Sequence, residues 1–500
     1  MRWKRPRLSV PHGSRRTGRT LAAVLVGLVA LGQAATGTAS GKGQEPAAGA
    51  ISALGPGKPN IVLIITDDQT LADLQVMSVV KRRLAGPGTT FSNNFSPYPQ
   101  CCPARATLLT GQYSHNHHVQ GNSLPYGGFT KLDDSETLPV WLQRAGYDTA
   151  IVGKYLNGYP SPDDVTYIPP GWTDWQVPIR NIYNYRHWLM NENGKQVPYS
   201  GTYQTTVWLN KILDDIDRFA GDARPLFLWA GFLAPHTGKP IESDDPKANG
   251  GHIPTPAVDS RYRDALVGMR LPRKPSINEQ DLSDKPSFVQ KAHVKRTASL
   301  RELNQQRRES LLSVDDAVGS ILDEFKAVGE FDNTVFVFTS DNGFLIGEHR
   351  LLGKILPYEE SVRVPLIFSG PGLDTGATRI GLVSLADFAP TVLELAGANS
   401  PLVIDGESLL RRIHGLPVKR RSILFQAGPR SDPAKRFYTA IRTPSHVYVE
   451  YDTGETEFYD LRSDPFELNS INDPSVQPRV RQRLAAALAA LRNCAGASCR

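Results

Sequence analysis

The stretch Asn60-Ile-Val-Leu-Ile-Ile-Thr-Asp67-Asp68-Gln69 decides how this chain folds. Five consecutive apolar residues, four of them β-branched, run without polar alternation and stop at two aspartates. A strand with one wet face alternates. An unbroken run suits a strand buried on both faces, as in a parallel sheet covered by helices. Four later runs have the same texture: DTAIVGKYL from Asp148, PLFLWAGFLAPH from Pro225, NTVFVFTSDNG from Asn333 and VPLIFSGPG from Val364. Helical patterns precede three of them, in TLPVWLQRAGY, YQTTVWLNKILDDIDRFA and LLSVDDAVGSILDEFKAVGEFDN. Alternating strand and helix predicts an α/β sandwich with a large, mostly parallel central sheet.

Polar residues follow these runs at their C-terminal ends, the edge at which open α/β sheets bind ligands. Asp67 and Asp68, Lys154, His236, and Asp341 and Asn342 all occupy such positions. Asp67, Asp68, Asp341 and Asn342 are hard oxygen donors, suited to Ca²⁺ or Mg²⁺ rather than to zinc. One aspartate pair after a strand favours a helix cap; two matched pairs favour a divalent cation. Lys154, His236 and Lys354 are candidates for holding an anion beside it. His115, His117 and His118 have no nearby cysteine partners in the sequence and read as loop packing or as support behind the site.

The remaining texture sets the domain plan. Residues 1–20 carry seven arginines and lysines and no acid, and an apolar run and the small residues TGTAS follow. That order is an export signal, expected over 1–39, with a Gly-, Ala- and Pro-rich linker over 40–57. Removing the signal takes the formal charge from +6 to about −1, so no nucleic-acid partner is expected, nor a membrane one after cleavage. The expected localisation is secreted or extracytoplasmic. Residues 58–410 are expected to form the catalytic domain. Within them, 240–310 is polar, Pro-rich and aperiodic, and reads as a surface excursion. Residues 411–500 alternate, turn at Asp452-Thr453-Gly454 and end in a helical pattern, predicting a smaller antiparallel-sheet subdomain. The chain has four cysteines. Cys494 and Cys499 can close a short loop in an oxidising milieu and are expected to form a disulfide. That leaves the adjacent pair Cys101 and Cys102 in YPQCCPARATLLTG.

In that stretch Cys101, Pro103 and Arg105, followed by Thr110 and Gly111, resemble the sulfatase signature. With Asp67-Asp68 upstream and Asp341-Asn342-Gly343 downstream, the resemblance spans nearly all of residues 58–500. GKYLNGY, PPGWTDW, TSDNGF and the terminal CAGASC are similar to the N-acetylglucosamine-6-sulfatase branch, itself related to the heparan sulfate endosulfatases. Ala104 stands where the most frequent pattern has serine. Lys154-Tyr155-Leu156 replaces the Lys-x-His of many sulfatases and matches that branch.

The resemblance implies an alkaline-phosphatase-like fold and a sulfuric ester hydrolase. It implies that a formylglycine-generating enzyme converts Cys101 to formylglycine, whose hydrate is both nucleophile and metal ligand. Ca²⁺, or Mg²⁺, would be held by Asp67, Asp68, Cys101, Asp341 and Asn342. Arg105, Lys154, His236 and Lys354 would complete the catalytic set. The implied substrate is a 6-O-sulfated N-acetylglucosamine unit of a glycosaminoglycan. An arylsulfatase or a phosphonate or phosphodiester hydrolase could share the scaffold. A secreted non-catalytic glycan-binding protein is the alternative of another class. Cys102 reads as a small buried neighbour.

Overall fold

The computed structural model describes residues 57–248, 251–419, 421–429 and 436–500. The expected export signal and nearly all of the expected linker lie outside the described residues. Ten strands form the main sheet: β1 (Asn60–Thr66), β2 (Thr89–Phe91), β3 (Asp148–Gly153), β4 (Asp174–Arg180), β5 (His187–Glu192), β6 (Lys195–Ser200), β7 (Leu226–Gly231), β8 (Thr334–Ser340), β9 (Leu366–Ser369) and β10 (Ala377–Arg379). Their order is β10-β2-β9-β8-β1-β7-β3-β4-β5-β6. The five central strands, β8 to β4, are parallel. The run at Val364 departs from that direction: β9 lies antiparallel to β8, and the 341–365 connection between them holds short strands and the one-turn helix Glu359–Val362 rather than a crossover helix packed on the sheet. Every residue of β1 is buried, which is why its sequence does not alternate.

Six helices matter here: α1 (Cys101–Thr110), α2 (Leu138–Arg144), α3 (Gln204–Phe219), α4 (Thr297–Ala327), α5 (Phe388–Ala396) and α6 (Pro478–Leu491). Successive β1 side chains go to opposite faces. Ile61, Leu63 and Ile65 pack with α1, α2 and α5, and Val62 and Ile64 pack with α3 and α4. On α3, Trp208, Ile212 and Ile216 recur every fourth residue and form its buried stripe. The excursion expected over 240–310 is shorter than its sequence suggests, because α4 begins at Thr297. Its first turns carry Arg301, Glu302, Arg307 and Arg308 among the apolar positions, and these charges hide the helical period.

The C-terminal segment forms a four-stranded antiparallel sheet from β11 (Ile423–Ala427), β12 (Tyr438–Arg442), β13 (His446–Tyr451) and β14 (Thr456–Asp460). Its Phe425, Tyr438 and Val449 face pack against Phe95 and Tyr358 of the main body. The Leu424, Ile441 and Phe458 face is covered by Leu484 and Leu488 of α6. Burying each such leucine contributes about 2 kcal/mol. Cys494 and Cys499 are disulfide-bonded.

Candidate active site

Strand register assembles the site. Thr66 of β1 pairs with Ser340 of β8, so Asp67 and Asp341 leave the sheet side by side. On the other flank Ile65 pairs with Gly231 of β7, which pairs in turn with Gly153 of β3. Lys154 therefore enters beside Asp67, and its N–H donates to the Gly231 carbonyl at 2.8 Å. His236 follows β7 through the short Phe232–Pro235 segment. Asp68 takes a left-handed backbone, φ 70°, uncommon for a residue with a side chain and frequent at ligand sites. Its N–H donates to Asp341 Oδ1 at 3.2 Å.

Cys101 opens α1, a helix buried throughout and unassigned by the sequence reading. Pro103 fits because the first turn needs no donor there. The helix ends at Gly111, φ 69°, whose N–H bonds the Thr107 carbonyl at 2.8 Å. The positive end of the helix thus lies at Cys101 and favours negative charge there. The Cys101 thiol donates to Asp67 Oδ1 at 3.3 Å, and Lys354 Nζ reaches its sulfur at 2.9 Å. Cys102 is buried, and its thiol turns to the Asn157 carbonyl instead, at 3.6 Å.

All the sequence-predicted residues converge. Lys154 is ion-paired with Asp67, and Lys354 with Asp68. Arg105, fully buried, donates from Nε to Asp341 Oδ2 and from Nη1 to the Lys154 carbonyl, both at 2.7 Å. Asn342 Nδ2 donates to Asp68 Oδ1 at 2.7 Å. His236 Nε2 lies 3.6 Å from Asp68 Oδ2, and its Nδ1 faces the Thr237 carbonyl at 2.6 Å. Side chains of His236 and Lys354 are 15% and 14% exposed against 2% for Lys154, so these two face the opening.

Two residues were missed. Tyr183 stacks on His236 with centroids 4.4 Å apart, and Lys154 Nζ sits 4.9 Å from its ring centre. Arg307 donates to the backbone carbonyls of Asp68 and Pro235, tying both carriers to α4. Tyr183 carries no sequence signal. Arg307 falls at the spacing of Leu303 and Leu311, a cation on an otherwise buried stripe, and could have been found. His115 and His117 pack as expected, against Tyr113 and against Thr107 Oγ1.

Charge explains the protonation states. Burial alone would raise Asp67, but Lys154, His236, Arg105 and Lys354 hold it well below the usual carboxylate range. Burial, then the Asp67 charge, raises Asp341 to about 6. Burial lowers His236 to about 4. Burial and then Asp67 push the Cys101 thiol up to about 12. The three carboxylates of Asp67, Asp68 and Asp341 are thus balanced by Arg105, Lys154 and Lys354.

The donor set fits a hard divalent cation. Asn342 Oδ1 and Arg105 Nη2 are buried without hydrogen-bond partners, an acceptor and a donor left open in one site. Asp67, Asp68, Cys101 and His236 offer ligand atoms within 4.8 Å of one another. A divalent ion among balanced charges would leave a net positive site, complementary to an anionic ester.

The sulfatase family model matches residues 59–398. The chain belongs to the sulfatase family. A second model, N-sulphoglucosamine sulphohydrolase, C-terminal, matches this sulfatase over residues 347–494. It is 32% identical over 496 residues to an arylsulfatase of Volvox carteri, covering 88% of this chain and 76% of that one. It is 30% identical over 501 residues to the N-acetylglucosamine-6-sulfatase of Capra hircus, covering 90% and 86%. Among solved structures it resembles, at TM-score 0.70 and 24% identity over 86% of this chain and 97% of that one, a protein in complex with its substrate D-glucosamine-2-N,6-O-disulfate. That likeness bears on the fold, which is the alkaline-phosphatase-like sandwich expected.

Proposed function

We propose that this sulfatase releases sulfate from 6-O-sulfated N-acetylglucosamine units of glycosaminoglycans, after export and conversion of Cys101 to formylglycine. The observation that carries the proposal is the placement of Cys101. It stands at the positive end of α1, between Asp67 and Lys354. As encoded, its thiol is held protonated and is not the activated thiolate of a cysteine nucleophile. When present, the hydrated aldehyde and Ca²⁺, or Mg²⁺, held by Asp67, Asp68, Asp341, Asn342 and residue 101, supply an attacking hydroxyl and Lewis acidity.

The chain's own residues do the rest. Asp67 is kept ionised by Lys154, so its Oδ1 can accept a hydrogen bond from a hydroxyl at residue 101 and orient it. Arg105 fixes Asp341 and directs an unpaired Nη2 into the site. Lys354, at the opening, meets the sulfuryl oxygens and stabilises their developing charge, while neutral His236 beside it presents Nε2 to a substrate hydroxyl. The Thr237 carbonyl accepts a hydrogen bond from Nδ1–H of neutral His236, which leaves Nε2 an acceptor. Lys354 is therefore the favoured donor to the leaving sugar oxygen. Residues 58–410 form the catalytic part of this proposal, and residues 411–500 wall it.

Likeness to an arylsulfatase supports a second reading, a simpler aryl or alkyl sulfate as substrate on the same machinery. The test is ion-chromatographic sulfate release from a panel of sulfated saccharides and aryl sulfates, with aryl phosphates and phosphonates in parallel. Cys101→Ala is the blank. Release from 6-O-sulfated N-acetylglucosamine, lost in Cys101→Ala, is expected. Faster phosphate or phosphonate turnover, or full activity of Cys101→Ala, overturns it. Mass analysis of the tryptic peptide 84–105 from the native host should show CHO in place of CH₂SH at residue 101. An unmodified thiol there would favour a non-catalytic glycan-binding protein.

A further inference from the structure

A second group of buried ionisable side chains adjoins the catalytic turn without belonging to it. The Gly343 N–H donates to the Ser361 carbonyl at 2.9 Å, and the next residue back, Glu360, carries its carboxylate into this group. His349 is wholly buried. Its ring stacks on Tyr358 with centroids 4.1 Å apart, and Nδ1 bonds Glu279 Oε2 at 2.6 Å. Nε2 is buried with no partner. Glu467 is 1% exposed. One of its oxygens accepts the Glu359 N–H at 3.0 Å, and the other, Oε1, is buried with no partner. His349, Glu360 and Glu467 each offer a ligand atom, and these lie within 4.8 Å of one another.

The charges around them do not balance. Lys274 Nζ binds Glu360 Oε1 at 2.8 Å and Glu348 Oε1 at 3.1 Å. Lys285 Nζ binds Asp284 Oδ2 at 2.7 Å and Glu279 Oε1 at 3.3 Å. Each lysine already faces two carboxylates, and among the described residues no lysine or arginine contacts Glu467. Two orphaned buried atoms, one imidazole and one carboxylate, therefore face a deficit of positive charge. A surface cavity of about 260 Å³ lined by Lys274, Glu359, Glu360 and Phe466 adjoins the group at Glu360.

We propose that His349, Glu360 and Glu467 form a second cation site, for a zinc-class divalent ion. One imidazole and two carboxylates suit Zn²⁺ or Co²⁺, whereas Ca²⁺ and Mg²⁺ prefer oxygen alone. Glu279 on Nδ1 fixes the tautomer that leaves Nε2 free, the outer arrangement usual for metal-bound histidine. The ion would tie the segment that carries Lys354 to Glu467 of the C-terminal region, stiffening the loop behind the catalytic turn. It is separate from the all-oxygen site at Asp67 and Asp341 and does not depend on the proposed substrate.

The test uses the full mature protein, stripped by chelator and titrated with Co²⁺, read by visible d–d absorption and by metal content. The wild type should bind two Co²⁺, one of them with an imidazole-containing spectrum, and Asp341→Asn should keep that one. His349→Gln and Glu467→Gln should weaken it at least tenfold, and Glu279→Gln about 10- to 100-fold. Glu467→Gln is isosteric and keeps the acceptor for the Glu359 N–H, so it carries the test if His349→Gln fails to fold. Absence of the imidazole-containing Co²⁺ spectrum, its full retention in both glutamine variants, or its loss in Asp341→Asn alone overturns the proposal. So does a Glu467→Gln protein that is more stable than wild type whether or not metal is present, since Glu467 would then be a protonated acid.

Discussion

At the scale of the residue, the site is a set of charges that hold one another in place. Arg105 is the centre of it. It is fully buried, binds Asp341 through Nε and the Lys154 backbone through Nη1, and lies 4.0 Å from Asp67. Removing one member of a buried pair leaves the other uncompensated and costs about 3–5 kcal/mol. Arg105→Ala is expected to lose that much stability in urea unfolding and all measurable sulfate release. Arg105→Lys keeps the charge but not the fork. It should retain most of the stability while kcat falls by about 10²-fold, the scale of a preorganised donor lost from a reacting site. Near-wild-type kcat in Arg105→Lys would mean that charge alone suffices. Most of these residues were legible from sequence because each stands one to five positions past a recognisable apolar run. Arg105, Lys354 and Cys101 do not follow such runs, and only the signature resemblance or a weak local cue drew attention to them. Tyr183 was illegible because stacking on His236 comes from a loop whose position depends on tertiary packing.

At the scale of the element, precision comes from turns that leave no room. A Cβ on Gly343 would lie 2.1 Å from the Glu360 carbonyl oxygen, a backbone atom that cannot swing aside. The Gly343 carbonyl also accepts from Asn342 Nδ2 at 2.9 Å. Gly343→Ala should push the Asp341–Gly343 turn off the Glu360 segment and carry Asn342 with it. Displacements near 1 Å in such sites cost about 10²-fold in rate, so a fall in kcat of that order is expected, with a stability loss of about 1–3 kcal/mol from overpacking. Gly221→Ala is the control. Gly221 has φ 78° and open space around it, so its alanine should cost about 1 kcal/mol and leave kcat unchanged. Equal kinetics for the two variants would refute the steric account. Strand positions were legible because burial on both faces erases alternation. The β5–β6 hairpin carried a readable signal that went unused, Asn193-Gly194 with φ 50° and 87°. The first turns of α4 were hidden because buried arginines stand among their apolar positions, Arg307 on the Asp68 carbonyl and Arg308 on Asp73 Oδ1.

At the scale of the whole molecule, the site joins segments far apart in sequence. Asp67 and Asp341 are brought together only by the pairing of β1 with β8 at the centre of a ten-stranded sheet. The unfolded chain has no such arrangement, so a cation bound there stabilises the fold by mass action, about 2.7 kcal/mol at 100 times its dissociation constant. The entropy of unfolding for a chain of this size is about 0.9 kcal/mol per kelvin, which converts that gain to a rise of about 3 °C in Tm. Calcium added to chelator-treated protein should produce this rise in differential scanning fluorimetry, and Mg²⁺ a smaller one, because the smaller ion gives up its water reluctantly. The rise should disappear in Asp341→Asn, where one ligand loses its charge, and persist in His349→Gln. Persistence in Asp341→Asn would mean that the ion binds elsewhere. The Cys494–Cys499 bridge supplies an internal control, because Gly496 beside it donates to Asp405 Oδ1 at 2.7 Å and the bridge touches none of the strand-end residues. Reducing it should lower Tm by a small increment that is the same with and without calcium. An increment that changes with calcium would show that the C-terminal segment and the strand-end site are thermodynamically coupled.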